Sequence, residues 1–274
     1  GTAGLEAACT AAEVGCNTFL LEKGNELGGL ASLISKIPAK NRLADFPHYL
    51  MHRAEQLDNL YIFKNTEGTP ENIRKFHPNI IVSSTGSAPL LPPIAGLKDR
   101  IDNENHNIYS ILGMISHIND FPKDLEGKKV VVVGGGAVGL DVVEFFADRN
   151  ADISIVEMMD QIGRDLDPVS KNDTKTMMKK HNVHQLTKTA LLEVKDSSFL
   201  VRGDGEPYEL PFEYGFVCLG MRAQGQLYQN LTEEFSSEDV EIMNIGDSQR
   251  ARRIIDGTQE GRNILTILEQ KGYL

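Results

Sequence analysis

The sequence predicts an α/β protein built from two units of the βαβ type, with the second unit inserted into the first. Two observations support this prediction. A glycine pattern behind a short β-branched strand occurs in full near the middle of the chain, and its second half recurs at the start. Segments of one form, a strand followed by a glycine turn, lie on both sides of the central unit. We therefore expect a first domain from residues 1–103 and 225–274, and a second domain from residues 104–224.

The central segment reads KKVVVVGGGAVGLDVVEFFADRNADISIVEM. Its valine run predicts a strand buried on both faces, followed by a helix and a second strand. Gly134, Gly136 and Gly139 complete the spacing G-x-G-x-x-G, and Glu157 closes the second strand. In such a unit the glycines permit a tight turn, backbone approach to a pyrophosphate and close helix packing, while the acidic side chain accepts hydrogen bonds from ribose. The segment therefore predicts a Rossmann-like dinucleotide-binding domain.

The first residues, GTAGLEAACTAAEVGCNTFLLEKG, repeat this pattern with a constant shift of 135 residues. Gly1 and Gly4 align with the second and third glycines of the central unit, and Glu22 aligns with its acidic residue. A single glycine pattern is weak support, but two copies with the same acidic spacing are much stronger. The first glycine and the strand before it are missing from this copy. We expect that strand in a longer parent chain, where it would be central in the sheet, and its absence would leave two unpaired edges.

Composition narrows the function further. The chain has 274 residues, of which 41% are hydrophobic and 24% charged, as expected of a folded domain with a core. The net charge of −11 argues against nucleic-acid binding. No apolar run predicts a membrane span, and no signal peptide is visible. The three cysteines form neither a C-x-x-C pair nor a metal-ligand set, and His181 and His184 are too few for a metal site. We expect a cytoplasmic location and no metal.

Five segments resemble a known group: AGLEAA, LLEKGNELGG, STGSAPLLPPIAGL, VVVVGGGAVGLDVVEF and NIGDSQRARRIIDGTQEGRN. They are similar to the flavoprotein reductases with two dinucleotide-binding domains. The last segment points to the C-terminal half of the NADH:flavin oxidoreductase family, which includes enoate reductase, 2,4-dienoyl-CoA reductase and trimethylamine dehydrogenase. The resemblance spans essentially the whole chain. One departure is Ala39, which replaces the glycine of the family's Pro-Gly-Lys sequence.

The resemblance implies an FAD site in the outer domain. The residues that it assigns there are Gly1, Gly4, Glu22, Lys23, Gly28, Gly29, Thr85, Gly86, Gly246 and Asp247. Asp247 matches an aspartate that bonds the ribityl chain or its phosphate, and its alternative role is an N-cap for a helix near Ser248. Arg252 or Arg253 either lies in a solvated turn or stabilises a reduced, anionic flavin.

The inner domain is expected to bind the nicotinamide cofactor through Gly134, Gly136, Gly139 and Glu157, with Gly220 added by the resemblance. NAD is favoured over NADP because Glu157 would repel a 2′-phosphate and the next two residues, Met158 and Met159, supply no cation. Arg164, a few residues on, is the one candidate cation. The simplest interpretation of the two methionines is packing.

The function implied is a module in which NADH reduces FAD. In the family, a preceding barrel domain with FMN and a 4Fe–4S cluster receives the electrons and reduces an enoate- or enoyl-type double bond. That barrel is the expected partner, and a homo-oligomer is compatible with the sequence. No catalytic residue is expected, because the cofactors carry the hydride transfer. Two alternatives stay open: a non-redox ADP-binding module, as in trimethylamine dehydrogenase, and a free-standing NADH oxidase or ferredoxin-type reductase.

Overall fold

The computed structural model describes residues 1–274 and confirms an α/β fold with parallel sheets. The elements in chain order are α1 (Thr2–Glu13), β1 (Thr18–Leu21), α2 (Gly29–Ile34), a 3₁₀ helix (Pro38–Ala44), α3 (Asp45–Glu55), β2 (Leu60–Phe63), α4 (Pro70–Arg74), β3 (Ile80–Ser83), β4 (Ser87–Pro89), α5 (Leu97–Arg100), β5 (Ile108–Tyr109), α6 (Ile111–Ser116), β6 (Lys129–Val133), α7 (Ala137–Ala147), β7 (Asp152–Val156), α8 (Pro168–Lys180), β8 (His184–Leu186), β9 (Ala190–Val194), β10 (Ser198–Arg202), β11 (Tyr208–Pro211), β12 (Tyr214–Val217), β13 (Met221–Ala223), α9 (Gln226–Glu234), β14 (Glu241–Asn244), a 3₁₀ turn (Gly246–Ser248), α10 (Ile254–Arg262) and α11 (Ile264–Gln270).

The chain forms two compact units. Unit 1 comprises residues 1–36, 40–88 and 222–274, and unit 2 comprises 37–39 and 89–221. The sequence placed the first boundary at 103/104, whereas the contacts place it at 88/89. The reason is that Leu97 and Ile101 are buried in the unit 2 core rather than in unit 1.

Unit 2 is organised around a parallel sheet of five strands in the order β5-β12-β6-β7-β8. Its central strand β6 contains the predicted valine run, and Val130–Val133 each expose at most 3% of their surface. Val131 and Val133 of this strand pack with Phe199 and Val201 of the antiparallel sheet β11-β10-β9. Helix α7 connects β6 to β7, and these strands pair in parallel from Lys129↔Asp152 onward. This connection is the predicted βαβ unit.

Unit 1 contains two separate parallel pairs, β1–β2 and β14–β3. Helix α1 contacts both pairs, since it packs against β1, β2 and β3. On its other side α1 packs against α10, where a Cβ built at Gly261 would lie 2.6 Å from the carbonyl oxygen of Ala3. No helix of either unit has the length and apolar character needed to cross a bilayer.

Candidate functional site

In unit 2, the turn from β6 to α7 needs two of its three glycines for packing. Gly134 has a φ of +108°, and a Cβ there would lie 2.1 Å from the carbonyl oxygen of Cys218. A Cβ at Gly139 would lie 1.9 Å from the carbonyl oxygen of Gly134. At Gly136, by contrast, a Cβ would meet no protein atom within 4 Å. The middle glycine therefore presents bare backbone to open space.

The N-terminus of α7 begins at that bare backbone. No side chain caps this helix, and no acidic residue lies in its first turn. Helices α4, α6 and α8 are capped by Thr69, Ser110 and Asp167 respectively. The first N–H groups of a helix have no partner within it, and their dipoles favour an anion. The turn therefore fits a pyrophosphate by shape and by charge.

Glu157, at the end of β7, is held against this turn by two backbone groups. Its Oε2 accepts a hydrogen bond from the Gly135 N–H at 2.6 Å, and its Oε1 accepts one from the Met159 N–H at 2.7 Å. A carboxylate has acceptor positions beyond these two, so it retains the capacity to bind hydroxyl groups. The packing interpretation of the methionines is wrong, because Met158 is 68% exposed and Met159 is 40% exposed.

Gly220 lies at the same edge of the unit 2 sheet. It follows β12, which pairs with β6, and the Cys218 N–H donates to the carbonyl oxygen of Val133 at 2.7 Å. Gly220 has a φ of +102°, which favours glycine, and no protein atom lies within 4 Å of a Cβ built there. The structure therefore brings all five predicted residues of the inner domain to the carboxyl edge of one parallel sheet.

In unit 1, the first turn of α1 is the meeting point of the predicted residues. A Cβ at Gly29 would lie 2.8 Å from the Cα of Gly1, and Gly28, in the same turn, has a φ of +96°. A Cβ at Gly4 would lie 2.4 Å from the Oγ of Ser84, which follows β3. The backbone of Gly29 and the side chain of Ser84 thus both approach this turn closely at positions where α1 has glycine.

Glu22 repeats the arrangement of its counterpart in unit 2. Its Oε1 accepts a hydrogen bond from the Gly24 N–H at 2.8 Å, and its Oε2 lies 3.9 Å from the Gly1 nitrogen. Lys23 is not brought to this place. Its ammonium pairs with Glu67 at 2.8 Å, and its side chain is 76% exposed.

The Gly246–Asp247 turn packs on the same first turn of α1, because a Cβ at Gly246 would lie 2.9 Å from the Cβ of Ala3. The Ser87 hydroxyl donates to Asp247 Oδ2 at 3.0 Å, and the Arg252 N–H donates to Oδ1 at 3.0 Å. The N-cap alternative for Asp247 is wrong, since Ile245 occupies that position. The carboxylate is fixed from two segments and keeps free acceptor positions.

The Thr85–Gly86 turn is bonded to the returning chain. The Thr85 hydroxyl donates to the carbonyl oxygen of Gln224 at 2.5 Å, and the Gln224 N–H donates to that of Gly86 at 2.9 Å. Gly86 has a φ of +74° and nothing within 4 Å of a built Cβ. The turn directly precedes Ser87, so it helps to place the hydroxyl that reaches Asp247.

The thiols take no part in either site. Cys9 and Cys218 are buried, and burial raises their pKa to about 11 and about 12 respectively. Burial also raises the pKa of Cys16. All three are free, and a protonated buried thiol is a poor nucleophile.

The fold and the two glycine turns are typical of the FAD- and NAD(H)-binding domains of flavoprotein oxidoreductases. Residues 1–242 match the family described as pyridine nucleotide-disulphide oxidoreductase, and the chain belongs to that family.

Among curated proteins, the chain is 27% identical over 262 residues to an NADH oxidase of Thermoanaerobacter brockii. The matched region covers 95% of this chain and 39% of that protein. It is 26% identical to a metal reductase of Desulforamulus reducens, covering 96% of this chain and 42% of that protein. A bilirubin reductase of Mediterraneibacter gnavus is 27% identical, with 95% and 38% covered. The chain therefore spans about two fifths of the length of these relatives.

Solved structures share the fold. A 2-naphthoyl-CoA reductase superposes with a TM-score of 0.82 at 23% identity, covering 96% of this chain and 38% of that one. Histamine dehydrogenase from Rhizobium sp. 4-9 superposes with a TM-score of 0.81 at 17% identity, covering 96% and 40%. The resemblance to the C-terminal half of such enzymes is confirmed.

Sequence reasoning did not single out several residues that shape the sites. They are Ser84, Ser87, Gly135 and Glu260. Each lies within or beside a segment that the resemblance covers. The partners of Ser84 and Ser87, Gly4 and Asp247, lie far away in the sequence, whereas those of Gly135 and Glu260 lie within about 22 residues. The only local signal was the position of Gly135 and Ser87 inside glycine-containing turns.

Proposed function

We propose that this chain is the NADH-oxidising, FAD-containing module of a longer reductase. NADH would occupy the unit 2 turn and FAD the unit 1 turn, and electrons would leave to a partner domain. The observation that supports this most strongly is the convergence of three segments on the first turn of α1. Gly29 and Gly246 approach it so closely that a Cβ on either would lie within 3.0 Å of an atom of that turn, and the hydroxyl of Ser84 lies beside Gly4.

The residues present fit the two cofactors. In unit 1, α1 begins without a side-chain cap, and Glu22 and Asp247 supply oxygen acceptors for hydroxyl groups. In unit 2, Gly136 and the α7 N-terminus suit the pyrophosphate of NADH, and Glu157 suits its ribose. When bound, the cofactors themselves supply hydride transfer from nicotinamide to flavin. The protein binds and orients them, and it needs no acid, base or nucleophile of its own.

The carboxylate of Glu157 also supports a preference for NADH over NADPH. It is pinned by two N–H groups and so cannot swing away from a 2′-phosphate without losing both. Arg164 is an exposed residue for which no ion pair with Glu157 is formed, so the carboxylate stays uncompensated. Like charges at a ribose site disfavour the phosphorylated cofactor.

The partner in this proposal is a barrel domain with FMN and a 4Fe–4S cluster in the parent chain. Its substrate would carry an activated double bond of the enoate or enoyl type. The relatives support a larger protein, because the matches cover only 38–42% of them. The divided sheet of unit 1 supports it too, since a further parallel strand would complete the sheet beneath α1.

The main alternative is a non-redox module that holds ADP in unit 1. Such a site needs only the α1 turn and Glu22. The close packing of the Gly246–Asp247 turn on α1, and the bonding of Asp247 by Ser87, favour FAD because these residues lie beyond an adenosine site in the resembling family. A free-standing NADH oxidase is the other alternative. The name of the Thermoanaerobacter relative favours the oxidase activity, but its greater length does not favour a free-standing module.

The test is anaerobic titration of the purified parent protein with NADH, followed by visible absorption. We expect flavin bands that bleach with NADH much more readily than with NADPH. The same protein with Gly136→Ala serves as the control, which should retain the bands and need about ten times more NADH for the same bleaching. Protein that holds ADP and no FAD would establish the alternative, and flavin bands indifferent to NADH would refute the proposed electron input. Product analysis with cinnamate- or enoyl-type substrates against oxygen then separates a reductase from an oxidase.

A further inference from the structure

The carboxylate of Glu260 is hydrogen-bonded to both ends of the loop that contains Asp247. Glu260 Oε2 accepts a hydrogen bond from the Gly246 N–H at 2.7 Å, and its Oε1 accepts one from the Arg252 guanidinium at 2.5 Å. Arg252 in turn donates its own backbone N–H to Asp247 Oδ1 at 3.0 Å. Glu260 lies on α10, outside the loop, and bonds both Gly246 and Arg252 of the loop.

We propose that Glu260 is a positioning residue for the FAD site, acting through Arg252 on the carboxylate of Asp247. This role rests on the proposed function of unit 1. It also reassigns Arg252, whose charge is paired with Glu260 and is not available for a reduced flavin. Arg253 does not replace it, because its side chain is 85% exposed and lies 3.6 Å from Asp256.

The pair is partly exposed, and its role follows from the two partners that the Glu260 carboxylate holds. Arg252 is 29% exposed and Glu260 is 24% exposed, and both atoms of the Glu260 carboxylate are engaged. Gly246 has a φ of +66° and abuts Ala3, so the loop cannot shift towards α1. Without the Glu260 charge, the Gly246 N–H and the guanidinium would both lose their strongest acceptor. The loop would then be held to the rest of unit 1 by Ser87, which bonds Asp247, and by the buried Ser248, whose hydroxyl donates to Asn244 Oδ1 at 2.7 Å.

A double-mutant cycle tests the role. FAD dissociation constants are measured by calorimetry for the wild type, Glu260→Gln, Asp247→Asn and the double variant. We expect Glu260→Gln to weaken FAD binding about tenfold, as for the loss of one charged hydrogen bond. The double variant should bind FAD no more weakly than Asp247→Asn alone, because both changes remove the same interaction. Glu269→Gln, at an exposed position on α11, is the matched control.

A second measurement needs no cofactor. In FAD-free protein, hydrogen–deuterium exchange of the peptide over residues 246–253 should be faster in Glu260→Gln than in the wild type or in Glu269→Gln. Additive effects in the cycle, or an unchanged FAD constant in Glu260→Gln, would overturn the positioning role alone. A wild-type protein that takes up no FAD, while exchange still responds to Glu260→Gln, would contradict the proposed function and limit Glu260 to holding the loop.

Discussion

Replacing Gly136 by alanine should weaken NADH binding, whereas replacing Gly139 by alanine should lower the stability of unit 2, although the two residues belong to one turn. At Gly139 the new Cβ would lie 1.9 Å from the carbonyl oxygen of Gly134 and 3.0 Å from its carbonyl carbon. Both are backbone atoms, so no side-chain rotation relieves the overlap. At Gly136 the φ of −80° suits alanine, and no protein atom lies within 4 Å.

The magnitudes follow from these contacts. Overpacking against backbone costs about 1–3 kcal/mol, which exceeds the helix propensity of under ~1 kcal/mol that alanine gains over glycine. For Gly139→Ala we expect unit 2 to lose about 2 kcal/mol and its Tm to fall by roughly 5 °C. For Gly136→Ala we expect stability to change by less than about 0.5 kcal/mol. Its methyl group instead holds NADH away from the backbone, and a lost charged hydrogen bond corresponds to at least about tenfold in Kd.

The assay combines thermal unfolding with calorimetric titration of NADH for both variants and the wild type. The reasoning predicts a folded Gly136→Ala protein that binds NADH weakly, and a destabilised Gly139→Ala protein. Unchanged NADH affinity in Gly136→Ala would refute the assignment of the turn to the pyrophosphate. Unchanged stability in Gly139→Ala would refute the packing role of the third glycine.

Three further outcomes are expected. Glu157→Gln should raise the Kd for NADH about tenfold and narrow the preference over NADPH, measured by titration with both; equal selectivity in variant and wild type would contradict the charge argument. Glu6 has a side chain that is 6% exposed and paired with two arginines, so Glu6→Gln should lower the free energy of unfolding by about 3 kcal/mol, measured by urea unfolding. A decrease of less than about 1 kcal/mol would contradict this buried ion-pair role. Alkylation of native protein at mildly alkaline pH should modify Cys16 before Cys9 and Cys218, as read by mass spectrometry. Because burial raises the pKa of Cys9 to about 11 and of Cys218 to about 12, their contribution to stability is complete below the ordinary thiol pKa of 9.0 and is lost as the pH rises through the raised values.

The fold was largely predictable because its signals are local. The valine run gave β6, the spacing of glycines gave the turn before α7, and the repeat gave its counterpart before α1. The Asp204–Gly205 pair is typical of a hairpin turn, and β10 and β11 pair antiparallel on either side of it. Each of these inferences needs only a window of about 30 residues.

The parts that the sequence did not predict depend on distant contacts. Residues 89–103 looked continuous with the first domain, but the burial of Leu97 and Ile101 assigns them to unit 2. Lys23 follows Glu22 directly, yet successive side chains of an extended chain point to opposite faces, and Lys23 pairs with Glu67 instead. The methionines after Glu157 are apolar, and apolar character alone does not determine which side chains are buried.

The two copies of the glycine pattern show why spacing identifies a nucleotide site more reliably than it identifies its surroundings. Glu22 and Glu157 each accept from the N–H two residues further on, at 2.8 Å and 2.7 Å, because that bond forms within a short local segment. The corresponding glycines differ, since Gly4 faces the side chain of Ser84, whereas Gly139 faces backbone of its own turn. The carboxylate geometry is therefore a property of the repeated sequence. The packing around each glycine is set by the rest of its unit, and it is there that the two sites can acquire different cofactors.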